Sequence, residues 1–311
     1  MTNTNETIAA AAQKDYRSNS LWRLTLRRIL RQRNAVIGLT ILSILILVAI
    51  LAPVIAPYDP EQVLIGIEDV KKRSGPCIHL LGCPEEQPQH ILGIDGNVRD
   101  EFSRLIYGTR LSLMIGFSTV GFAIIIGTLL GSLAGYMGGW VDNLIMRILD
   151  VLLAFPSLLL AIAIVSVLGN GLQNALLAIA IVTIPVYARV VRASVLSVKE
   201  QAYVSASVSL GAGHGHILFK RILPNAIPPL IVQGTLGIAT AILDAAALSF
   251  IGLGAQPPTP EWGTMLGSER NQVFTSPHLV FFPGIAIMIT VLAFNLMGDG
   301  LRDAIDPRLN Q

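Results

Sequence analysis

Three stretches of this chain, residues 35–58, 111–141 and 151–188, contain no Asp, Glu, Lys or Arg, and the shortest is 24 residues long. A helix crossing a bilayer needs about 20 mostly apolar residues, because the hydrocarbon core is roughly 30 Å thick and each residue rises about 1.5 Å. The first two stretches predict helices over 35–58 and 111–136. The third is too long for one span, and Gly169-Asn170-Gly171 breaks it into helices over 145–168 and 174–191. Two further apolar runs predict helices over 224–251 and 279–297. The expected fold is all-α, a polytopic membrane protein with six transmembrane helices.

Composition agrees with a membrane solvent. Only 14% of the 311 residues are charged and 52% are hydrophobic, with a mean hydropathy of +0.63. A soluble domain carries about a quarter charged residues. A net charge of +2 is too small to argue for nucleic acid. The first apolar run exceeds the roughly 7–15 residues of a signal-peptide core, so it is expected to stay as a span.

Lys and Arg near span ends set orientation. Lys14, Arg17, Arg23, Arg27, Arg28, Arg31 and Arg33 precede the first span against Glu6 and Asp15. Between the fourth and fifth spans, Arg189, Arg192, Lys199, Lys220 and Arg221 face Glu200 alone. Alternating spans put both clusters on one side, the cytoplasmic one. Residues 59–110 hold nine acids against six Lys or Arg and suit the outside. The chain then divides into a cytoplasmic tail (1–34), a first span (35–58), an extracytoplasmic loop (59–110), a five-span core (111–298) carrying an inner loop (192–223), and a cytoplasmic tail (299–311).

That inner loop reads KEQAYVSASVSLGAGHGHILFKRILP over 199–224. Its first part suits a helix as far as Leu210. Gly211, Gly213 and Gly215 punctuate it, since glycine permits the positive φ a tight turn demands, and a second short helix over 216–223 is expected. The result is a compact knob, or simply a connector between spans. His214 and His216 are expected to shape it.

Cys77 and Cys83 share the outer loop with His79 and His90. An oxidising compartment favours a small disulfide ring, and a Cys/His zinc site or two free thiols are the alternatives. Asp244 falls inside the fifth helix, where a carboxylate is costly and marks either a translocation path or a hydrogen-bonded packing residue. Asp150 suits pairing with Arg147 or an interfacial position. Gly127, Gly131 and Gly135 recur every four residues, the spacing of close helix packing. The chain has no Walker-type phosphate loop, no His-Glu-x-x-His pair and no Gly-x-Ser-x-Gly elbow. Neither a catalytic residue nor a metal site is expected.

The inner loop resembles the signature of binding-protein-dependent ABC permeases, a Glu-Ala-Ala followed by glycine and an Ile-Leu-Pro-like ending. The matching positions are Ser205, Ala206, Ser207, Gly211, Ile222, Leu223 and Pro224, with Ser205 where the family carries glutamate and Ser207 where it carries the second alanine. His90-Ile91-Leu92-Gly93, Asp95, Arg99, Asp100, Ser103, Arg104, Gly108 and Arg110 are similar to the segment before the core in peptide permeases, with Ile94 and Val98 where Thr and Gly are usual. Gly138, Gly139, Asp142, Met146, Arg147, Asp150, Phe155 and Pro156 follow the same pattern. So do residues 254–263 and 293–311.

The resemblance, to the C-component-like subunits of dipeptide and oligopeptide importers, implies the type I importer permease fold with a coupling helix that enters a cleft in an ATPase. It implies a second permease subunit, two ATPase subunits carrying ATP and Mg, an extracytoplasmic peptide-binding protein, and an inner-membrane location with both termini cytoplasmic. Nickel and glutathione importers share much of this pattern. An ion-coupled secondary transporter would need intramembrane ionisable residues, of which Asp244 is the only deep one. A membrane hydrolase would need a nucleophile and base that the sequence lacks.

Overall fold

A computed structural model describes residue 30 and residues 32–305 of the chain, so the basic residues before Leu30, Arg31 and the last six residues lie outside it. Five helices are long and apolar enough to cross a membrane: α1 (Arg33–Ile55), α2 (Glu101–Met137), α5 (Leu172–Lys199), α7 (Leu223–Phe250) and α9 (His278–Ile305). The sixth expected span is a bent pair. α3 (Gly139–Leu153) and α4 (Ser157–Leu168) meet at 90°. The bend falls at Phe155-Pro156, where the proline supplies no backbone N–H and restricts the residue before it. Short helices α6 (Ala202–Ser209) and α8 (Trp262–Glu269) complete the set.

The expected helix bounds move where capping or packing outweighs hydropathy. α2 starts ten residues earlier than its apolar run, because the Asp100 carboxylate accepts the Ser103 N–H at 2.7 Å as an N-cap. At about 55 Å it is longer than any span requires, so its first turns project beyond the apolar layer. α5 runs eight residues past its expected end. The expected separate helix over 216–223 is instead a lead-in to α7: residues 214–222 continue into it through a π-helical turn, Ile217–Ile222. A π-turn accommodates Pro224, which cannot donate to the helical ladder.

Packing follows the small residues. α2 lies along α5, and a Cβ at Gly127 would stand 2.7 Å from the Tyr187 Cβ, while one at Gly135 would stand 3.0 Å from the Arg192 carbonyl oxygen. The four-residue glycine spacing is therefore a close-packing stripe. α7 packs against α2, α5 and α9, and α1 lies outside this group against α9 and α2. Gly38 brings α1 onto Ala293 and Met297, and Gly300 packs on Ala35. The start of α1 and the end of α9 thus share one face. Apolar residues such as Ile50, Val54, Ile125 and Val167 remain exposed, as surfaces against lipid or other apolar partners require.

Two bodies stand outside the helical layer. A cap over residues 56–104 and 251–277 covers one face, and a knob over residues 200–222 covers the other.

Candidate functional site

The knob begins where α5 ends at Lys199. Gln201 opens α6, which buries Val204 and leaves Ser205 and Ala206 exposed and Ser207 half-buried. The Ser207 hydroxyl donates to the Tyr203 carbonyl of its own helix at 2.8 Å. The chain then reverses at Gly211, φ +78°. Nothing lies within 4 Å of a Cβ there, so the constraint is backbone conformation alone. Gly213 and Gly215 have no such φ and are not demanded by the turn. Ile222 is fully buried, Leu223 half-buried and Pro224 exposed.

The expected site residues thus separate into two groups. Ser205, Ala206 and Gly211 lie at the free surface, while Ile222 anchors the knob in the core. Few bonds hold the knob to the spans. Tyr136 at the end of α2 hydrogen-bonds His214 Nδ1 at 2.8 Å and Asn225 of α7 donates to the Arg221 carbonyl at 2.8 Å. Lys199 joins α5 to the Tyr136 carbonyl at 3.0 Å just where the knob begins, and within the knob the Tyr203 hydroxyl donates to the Arg221 carbonyl at 3.3 Å.

The cap is tied down far more densely. Leu64, Ile94 and Val98 form its buried apolar seed. Val98 has φ +58°, a conformation that costs a side-chain-bearing residue about 1–2 kcal/mol; its burial at 2% exposure offsets that strain. Here the departures at positions 94 and 98 acquire a reason, since together they build the seed.

Around the seed lies a charged network. Arg99 pairs with Asp95 at 2.7 Å, and Arg104 lies 3.5 Å from the same carboxylate. Arg104 also donates to the Pro60 carbonyl at 2.8 Å and the Pro258 carbonyl at 3.0 Å. One guanidinium therefore fastens three separate segments. Arg73 pairs with Glu269 of α8 at 2.8 Å, and the Gly96 N–H donates to the same carboxylate at 3.0 Å.

His90, only 3% exposed, sits between Asp100 at 2.8 Å and Glu68 at 3.0 Å, with the Tyr58 ring stacked 5.2 Å away. Burial alone would lower its pKa, but the two carboxylates outweigh burial and raise it. Tyr58 donates to Glu68 at 2.9 Å, and burial, reinforced by that acid, pushes its hydroxyl up to about 12. Glu261 caps α8, accepting from the Gly263 and Thr264 N–H groups at 2.9 and 2.8 Å. Its carboxyl is raised by burial against the pull of those bonds.

Cys77 and Cys83 are joined, with Cα atoms 5.4 Å apart. His79 contacts the Gln87 carbonyl and His90 the two acids. Among the described residues no three His, Cys, Asp or Glu side chains are grouped to hold a metal ion.

Asp150 pairs not with Arg147 but with Arg189 of α5, at 2.5 Å, and Asp142 pairs with Arg192 at 2.5 Å. Helical spacing favours the local partner, whereas the slant of α3 across α5 brings the distant one closer. Asp244 is half-buried on α7 and makes no side-chain hydrogen bond among the described residues. Sequence reasoning overlooked Tyr58, Glu68, Arg73 and Glu269. The Arg73–Glu269 pair joins residues 196 apart, and no local pattern signals such a contact.

Residues 127–311 match the family model of the binding-protein-dependent transport system inner membrane component. The chain belongs to that family. The permease also matches, over residues 20–74, the N-terminal TM domain of oligopeptide transport permease C. It is 46% identical over 306 residues to a dipeptide transport system permease protein of Alkalihalophilus pseudofirmus, covering 98% of this chain and 96% of that protein. It is 48% identical over 281 residues to a di/tripeptide transport system permease protein of Pseudomonas aeruginosa, covering 89% of each. A glutathione transport system permease protein of Pectobacterium atrosepticum is 46% identical over 288 residues, 93% of this chain and 91% of that protein.

The fold is similar to the inward-facing methionine ABC transporter MetNI, with a TM-score of 0.55 at 21% identity, over 65% of this chain and 97% of that one. The permease is therefore a multi-pass inner-membrane transport subunit, and hydrolysis of ATP belongs to separate subunits.

Proposed function

We propose that this permease forms half of the translocation path of an ATP-driven importer for dipeptides or short oligopeptides. The observation that carries this reading is the 46% identity, over nearly the full length of both chains, to a dipeptide transport system permease protein. A second permease subunit completes the path, two ATPase subunits bind ATP and Mg beneath it, and an extracytoplasmic binding protein delivers the peptide. The knob faces the cytoplasm with both chain ends, as the excess of Lys and Arg near it supports, and the cap faces outward. The division into tails, first span, outer loop and core with its inner loop is kept with shifted bounds: the outer loop ends at Asp100, the inner loop begins after Lys199, and α9 runs on to Ile305.

In this reading Ser205, Ala206, Ser207 and Gly211 present the surface that an ATPase grips, and Ile222, Leu223 and Pro224 transmit its displacement to α7. ATP drives the alternation only by binding one state of the assembly more tightly than the other. Asp244, without a hydrogen-bond partner among the described residues, is available to a peptide ammonium in the path.

The test is uptake of a labelled dipeptide by proteoliposomes holding the whole assembly with its binding protein. ATP-dependent uptake that Gly211→Val abolishes is expected. Uptake driven by a proton or sodium gradient without ATPase subunits would overturn the reading. The glutathione permease relative favours a second substrate, a γ-linked tripeptide, and competition by unlabelled glutathione separates the two.

A further inference from the structure

Between the knob and the inner ends of α2 and α5 lies an open cavity of about 800 Å³, within the usual range of ligand sites. Its walls are mainly apolar, chiefly Leu133, Val204, Val208 and Leu218, and Lys199 and Glu200 both stand on the lining. Counting from Leu172 at the opposite face, α5 crosses a roughly 30 Å hydrocarbon core by about residue 192. Lys199 is then about 10 Å further on, at headgroup depth. Its ammonium gives one of three N–H groups to the Tyr136 carbonyl and pairs with no acid among the described residues. Lys220 and Arg221 lie on the lead-in to α7, outside the lining, and Arg189 and Arg192 are committed to Asp150 and Asp142.

We propose that this cavity holds an acyl chain of an anionic phospholipid from the inner leaflet, its phosphate resting on Lys199. Three features converge: an apolar hollow open at headgroup depth, a lysine with spare donors at its edge, and an inner loop in which Lys199, Lys220 and Arg221 outnumber Glu200. Basic recesses at the cytoplasmic ends of spans suit such lipids. The chain would wedge α6 away from the spans and so set the angle at which the knob meets its partner. The inference rests on the knob being cytoplasmic.

The test uses the assembled transporter in nanodiscs containing phosphatidylglycerol with a photoreactive group near the acyl terminus. Adducts are expected on residues 133–137 and 204–218. Val208→Trp, which fills the hollow, should remove them, and Lys199→Ala should lower them about fivefold, the worth of one basic residue at an anionic surface. Equal labelling by photoreactive phosphatidylcholine would overturn the charge requirement, labelling by photoreactive free oleate alone would overturn the lipid source, and adducts that persist in Val208→Trp would overturn the cavity. Size-exclusion chromatography checks that each variant assembles. Labelling of Ser205→Cys by an impermeant maleimide, in right-side-out and inverted vesicles, reports the side of the knob independently of any lipid result.

Discussion

The cap and the knob are both irregular excursions from the same helical layer, yet they are held in opposite ways. The cap has a buried apolar seed, a covalent ring, and guanidinium groups that reach carbonyls and carboxylates from four segments. The knob has three buried apolar side chains, Val204, Ile217 and Ile222, a glycine reversal, and side-chain bonds that are mostly local and exposed. A surface fixed internally can be docked onto without changing shape. One held by three buried apolar side chains and no long-range ion pair among the described residues can be pushed as a unit. In the proposed function, the stiff cap is the side that receives and the loosely bonded knob the side that moves.

The comparison breaks most decisively at Arg104. Replacing it with alanine leaves Asp95 and two carbonyls without that donor, and removing one member of a buried charged pair costs about 3–5 kcal/mol. A large fall in thermal stability and in folded yield is expected, measured by fluorescence-detected size exclusion. A similar loss from Ser205→Ala on the knob would erase the contrast. Next in size is the ring: Cys77→Ser should lower cap stability by about 2 kcal/mol on the chain-entropy scale, read as faster hydrogen exchange over residues 69–93, with ATP turnover of the assembly unchanged.

Gly211→Val sharpens the contrast from the other side. Forcing a β-branched residue to a positive φ costs about 1–2 kcal/mol, too little to unfold the helical layer. Uptake should nevertheless fall at least tenfold while membrane insertion, followed by protease protection, stays normal.

His90 gives a smaller and pH-dependent effect. Its folded pKa is raised above the unfolded value near 6.5, so the stability it contributes is fully present below about pH 6.5 and is lost as pH rises through the folded value. Protection factors in the cap, which are corrected for the intrinsic pH dependence of exchange, should fall as pH rises above about 6.5, and His90→Gln should flatten that dependence. Val98→Gly should change least, because relief of about 1–2 kcal/mol of strain nearly cancels the loss of a buried valine worth about 1.5–3 kcal/mol. A large change in either direction would show that one of the two opposing effects has been misjudged.

The sequence by itself determined the parts that rest on local regularity. Long apolar runs mark five spans because a charge in hydrocarbon is costly, glycine spacing fixes the α2–α5 contact because only glycine lets backbones approach so closely, and Gly211 marks its own turn. The matches around residues 90–110 and 254–263 pointed at the cap without revealing what it is. Tertiary structure alone decided that Arg104 joins Pro60 to Pro258, that Asp150 chooses Arg189 over its neighbour Arg147, that α3 and α4 bend through 90°, and that the lead-in to α7 continues unbroken past Pro224. Each of these depends on which distant surfaces meet, and a charge or a proline takes the partner that packing brings to it.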